Sequence, residues 1–154
     1  MKKFKFRLET LLRLRQQEED ECREALAKAV EATRQARETL QRIRNERKTL
    51  ERAWAEFERK PGTDVDTFRD FEAYRGVLQR RAEETQKQID EALKHENEAR
   101  TKLQEAVKKR RALEKLRERQ ARRHAEKALK EEQDELDESG TTRFVRKKAA
   151  DAEE

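Results

Sequence analysis

Guanidinium and ammonium groups are the chemistry most concentrated in this sequence. Lys108, Lys109, Arg110, Arg111, Lys115, Arg117, Arg119, Arg122 and Arg123 fall in one stretch, and Glu126, Glu131, Glu132, Asp134, Glu135, Asp137 and Glu138 follow directly. Clustered arginines suit carboxylates or phosphates, which the planar guanidinium fork binds through paired hydrogen bonds. The competing reading of any one of these residues is a solvated helix surface. Nucleic-acid binding is argued against by the adjoining acidic run, by a net charge of only +5, and by the lack of aromatic residues interleaved with the arginines for base stacking.

Residue sets for catalysis are absent. His95 and His124 lie far apart with no ligand cluster beside them, and there is no Gly-rich phosphate loop, Ser-His-Asp set or Cys-x-x-Cys pair. No enzymatic activity, metal, cofactor or small-molecule substrate is therefore expected. The lone Cys22 falls on an apolar seam and reads as packing rather than as a reactive thiol.

What must position the arginines is helix. Residues seven apart run Leu8, Arg15, Cys22, Ala29, Ala36, Ile43, Leu50, Phe57, with companions at Leu12, Glu19, Leu26, Thr33, Leu40, Arg47 and Trp54. All but Arg15, Glu19, Thr33 and Arg47 are apolar in a chain that is only 32% apolar, so this spacing marks a seam along one helix face. The pattern resumes with Phe71, Leu78, Ala82, Thr85, Ile89, Ala92, Ala99, Leu103, Ala106 and Leu113, and Leu116 falls out of step. A charged content of 49% with one Pro and three Gly fits the coiled-coil class and leaves little for a globular core. Membrane-surface binding is disfavoured because acids and bases alternate on the polar faces.

Pro61-Gly62 separates the two seams, and Thr63, Asp64, Val65 and Asp66 supply a turn and then an N-cap from Asp64 or Asp66. The fold class predicted is all-α: two long helices in an antiparallel coiled-coil hairpin, the second longer than the first. Facing positions should sum to about 125, which sets Phe57 against Phe68, Trp54 against Phe71, Ile43 against Ala82 and Leu12 against Leu113. Trp54, Phe57, Phe68, Phe71 and Tyr74 then gather near the loop, where large rings hold a thin two-helix contact closed. The expected boundaries are one domain over about 1–138 (helix 4–59, turn 60–65, helix 66–138), with a helix stop at Ser139-Gly140 and a flexible tail over 139–154. In that register the first helix accompanies the second only to about residue 121, and Arg13 and Arg15 join the basic block as a collar of guanidinium groups at the open end.

The Met1-Lys2-Lys3 start is similar to the basic end of a signal peptide, but Phe4, Lys5, Phe6 and Arg7 alternate aromatic with charge where an apolar run is required. With no apolar span of about eighteen residues, a soluble cytoplasmic protein is expected.

The opening Phe4-Lys5-Phe6-Arg7-Leu8-Glu9-Thr10-Leu11-Leu12, followed by basic and apolar residues, resembles the start of the FliJ family, the coiled-coil component of the bacterial flagellar type III export apparatus. The resemblance extends over nearly the whole chain. It takes in the helix-break-helix layout, the aromatic cluster at Phe71, Tyr74 and Leu78, and the run from Ala112 to Gln120. It implies an antiparallel coiled coil similar to the stalk of the rotary ATPase gamma subunit. It also implies partners: the hexameric export ATPase, the cytoplasmic domain of the export gate, and export chaperones, with peripheral association at the inner membrane at the flagellar base. A rod of roughly 80 to 110 Å could enter a ring pore. On this reading Arg13, Arg15, Arg117 and Arg119 contact the ATPase ring, and Phe71, Tyr74 and Leu78 contact the gate. The alternatives are the equivalent stalk of a virulence-type secretion injectisome, a generic coiled-coil scaffold, or a nucleic-acid-binding protein.

Overall fold

The computed structural model describes residues 2–62 and 64–153; Met1, Thr63 of the expected turn and Glu154 of the expected tail lie outside the described residues. The chain forms two helices, α1 (Glu9–Glu58) and the longer α2 (Val65–Glu153), packed antiparallel. Each carries its apolar residues at seam spacing and fills the remaining positions with Glu, Arg, Lys and Gln, which have good helix propensity.

The reversal between the helices is made as the turn residues dictate. The Lys60 amide donates to the Phe57 carbonyl at 3.1 Å, closing α1. Gly62 then takes φ +97°, a conformation that suits glycine. Asp64 is the N-cap of α2: its Oδ1 accepts from the Asp66 amide at 3.3 Å, and its carbonyl accepts from Phe68 at 3.2 Å.

The chain divides into two compact units. One is Glu18–Ala106, which contains the turn. Its seam is Leu40, Ile43, Leu78, Ile89 and Ala106, all buried, with Leu78 at 0% exposure. Thr33 and Thr85 are buried on the same seam, and their hydroxyls donate to carbonyls one turn back, Ala29 at 3.1 Å and Arg81 at 2.7 Å. That bond lets a hydroxyl sit in an apolar contact without an unmet donor. Glu19 is buried too, and accepts from Arg23 at 2.6 Å. The register follows the expected sum, since Trp54 stacks on Phe71 and Arg47 donates to Gln79 at 3.1 Å. On the outer face Arg34 forks between Glu31 and Glu38, and its hydrogen bond holds the Glu31 carboxyl below the usual carboxylate range.

The other unit comprises the residues up to Gln17 together with Val107 onward. Leu12 is 2% exposed, Phe6 is buried, and Leu113 is half-buried. Two expectations are corrected here. Helix α1 starts at Glu9 rather than near Phe4, because the Glu9 amide donates to the Phe6 carbonyl at 3.2 Å in a turn and the residues before it run without helical structure. Non-helical chain advances about 3.3 Å per residue against 1.5 Å in a helix, so these few residues reach further along α2 than helical pairing allows. Phe4 therefore lies beside His124, ring centroids 5.7 Å apart, and Lys2 shares a shallow hollow with Lys127, Ala128, Glu131 and Glu135, well past the expected limit near 121.

The second correction concerns the helix stop at Ser139-Gly140. Helix α2 continues through it to Glu153, and Gly140 has no left-handed φ. A glycine ends a helix by adopting that conformation; inside one it costs about 1 kcal/mol relative to alanine, a cost that α2 carries at this point without breaking.

Candidate functional site

Two groups of residues carry the candidate surfaces, one in each unit. In the unit holding the chain's first residues, α1 presents Arg13 and Arg15 and α2 presents Arg117 and Arg119. Arg117 pairs with Glu9 across the two segments at 3.6 Å and remains half exposed. Arg15 is half-buried and engaged, whereas Arg13 and Arg119 are exposed. Residues two apart on a helix point to nearly opposite sides. Within each pair the two guanidinium groups thus leave their helix on different sides and do not converge on a single anion, an arrangement that suits separate contacts to carboxylates or phosphates. Arg110 adds a further pair, to Glu114 at 2.8 Å.

The second group lies on the first turns of α2 in the unit containing the turn. Phe71, Tyr74 and Leu78 share one helix face by spacing, yet they meet different surroundings. Leu78 is wholly enclosed by the seam. Phe71 is half-buried and stacked on Trp54 at 4.5 Å and 22°. Phe57 and Phe68 complete the cluster around the indole, at 5.7 and 5.4 Å. Tyr74 is 38% exposed and its hydroxyl donates to Glu46 of α1. That hydrogen bond, then partial burial and the Glu46 charge, push the phenol above its ordinary pKa, with Arg81 opposing. Of the three, Tyr74 and the exposed part of Phe71 are accessible, and Leu78 is core.

Phe68 and Val65 were not anticipated as exposed apolar residues, but both are, beside Asp64 and Glu58. Buried Phe6 was also missed. Its signal was the alternation in Phe4-Lys5-Phe6-Arg7, a period of two that places both rings on one side of an extended segment. Among the described residues no group of three His, Cys, Asp or Glu side chains is placed to hold a metal ion, and no helix is long and apolar enough to cross a membrane.

No curated protein and no solved structure matches the chain. The family model described as Flagellar FliJ protein matches residues 4–149, which takes in the first aromatic residues, all of α1, the turn and α2 up to its last few residues. A match over that span shows the family, and the chain belongs to the FliJ family.

Proposed function

We propose that this FliJ-family chain is a stalk of the flagellar type III export apparatus that seats in the export ATPase ring through the end carrying Arg13, Arg15, Arg117 and Arg119. The observation that carries the reading is that both segments at this end offer exposed guanidinium groups, Arg13 from α1 and Arg119 from α2, with Arg117 half exposed beside Glu9. A ring offers contacts on every side, and a stalk with guanidinium groups on both segments can meet several of them. Tyr74, with the exposed part of Phe71, contacts the cytoplasmic domain of the export gate, so that ring and gate bind different regions of one chain. Escort of export chaperones belongs to the same proposal and rests on family membership.

The test uses a purified export ATPase hexamer. Stimulation that saturates at one chain per ring is the expected result, and charge reversal at the four arginines is expected to abolish it. Unchanged stimulation by the reversed chain would remove the assignment.

A further inference from the structure

Every residue of α2 from Leu129 to Glu153 is exposed. A helix of that length with no packing is marginal in water, and this one carries Ser139, Gly140, Thr141 and Thr142 at its middle, all of modest or poor helix propensity. Its apolar residues are nevertheless ordered. At about 100° per residue, Leu129, Leu136 and Phe144 fall in one stripe with Gln133, Gly140 and Lys147, on the side of α2 opposite His124, Ala128, Glu131 and Glu135, while Val145 falls on the other side. Lys2 shares a hollow with that second set and with Glu132 at the edge of the stripe, and Leu129, Leu136 and Phe144 do not line that hollow. Leu136 is 70% exposed and Phe144 67%. A Cβ added at Gly140 would meet nothing within 4 Å, so nothing in the chain's own packing requires a glycine there.

The charges flanking this stripe are arranged in opposition about Gly140. Before it stand Glu132, Asp134 and Asp137; after it stand Arg143 and Lys148, with Lys147 in the stripe itself. A second copy of the same segment, turned end for end about Gly140, brings positions summing to about 280 together, acid to base on both halves. Leu136 then meets Phe144 of the other copy twice, once on each side of the axis. The two Gly140 residues meet at the axis, where lack of a side chain lets the backbones approach. A parallel pair would instead set acid against acid and base against base. We infer that this segment docks on a second copy of the chain, in an antiparallel pair with a two-fold axis near Gly140. The inference stands independently of ring binding.

Sedimentation equilibrium of the full chain tests it. The expected result is a reversible monomer–dimer equilibrium that weakens as salt is raised. A chain with Glu132→Lys, Asp134→Lys and Asp137→Lys, and one with Arg143→Glu, Lys147→Glu and Lys148→Glu, should each dimerise at least about tenfold more weakly alone and associate when mixed. In a Cys22→Ser background, Gly140→Cys should form a symmetric disulfide on oxidation, and Leu129→Cys should not. A wild-type chain that stays monomeric at about 100 μM overturns the inference. So does dimerisation unaffected by the charge changes, or equal cross-linking from both cysteines, the result of a parallel pair.

Discussion

The Trp54 indole lies on the Phe71 ring at 4.5 Å and 22°, joining the last turns of α1 to the first turns of α2. Trp54 is the single tryptophan of the chain, so its fluorescence reports this aromatic cluster. Phe71→Ala removes the stacked ring and leaves Trp54 with Phe57 and Phe68. The expected loss is about 2–3 kcal/mol, below a full core deletion because Phe71 is only half-buried. Urea unfolding followed by tryptophan fluorescence and by circular dichroism measures it.

Leu78 and Tyr74 should separate cleanly although both lie in the stretch proposed for the gate. Leu78→Ala opens a cavity in a wholly buried position and is expected to cost about 2–4 kcal/mol. Tyr74→Ala removes an exposed ring and is expected to cost about 1 kcal/mol or less. Gate binding measured by calorimetry should fall for Tyr74→Ala at unchanged helicity. Binding that survives Tyr74→Ala would refute the gate contact.

Tyr74 also gives a pH dependence with a defined sign. Its phenol donates to Glu46, and its pKa is raised in the folded chain. A group whose folded pKa exceeds its unfolded value lends stability that is fully present below the unfolded value, about 10, and is lost as pH rises through the folded one. As the only tyrosine, it can be titrated by phenolate absorbance. The midpoint should lie above that of the urea-unfolded chain, and Glu46→Gln should lower it toward the unfolded value.

Two glycines should respond in opposite directions to the same substitution. Gly62→Ala forces a side chain onto φ +97° and is expected to destabilise by about 1 kcal/mol. Gly76 lies inside α2, and an added Cβ would meet nothing within 4 Å. Gly76→Ala should therefore stabilise by about 0.5–1 kcal/mol. Thermal unfolding of the two variants beside wild type decides both.

Arg117→Glu offers a functional test that is not confounded by folding. Its pair with Glu9 is 3.6 Å long, with both side chains more than a third exposed, and pairs of that kind contribute about 0–1 kcal/mol. The melting transition should shift little while ring stimulation falls.

The seam was legible in the sequence because helix packing repeats. Leu12, Leu40, Ile43, Leu78, Ile89 and Ala106 are buried where the spacing places them, and the pairing sum correctly sets Trp54 on Phe71. The ends were less legible. A glycine between helix formers is a stop only if the backbone turns left-handed, and nothing local to Ser139-Gly140 decides that. Phe4 and Phe6 followed a period of two, but beside a long helical pattern that short signal reads as its first turn. For the gate stretch, residue type suggested a contact at Leu78 as readily as at Tyr74, and only packing separates an enclosed leucine from an accessible phenol.

The unwound residues ahead of Glu9 have a consequence for how the chain can be opened. Helix α1 closes its own hydrogen bonds from Leu12 onward, whereas the segment before it is held by the Phe4 ring beside His124 and by the buried Phe6. Such a segment can peel away without unwinding anything, because no helical turn is lost with it. Detaching it would uncover the side of α2 around His124 and Ala128, where the Phe4 ring and Lys2 lie.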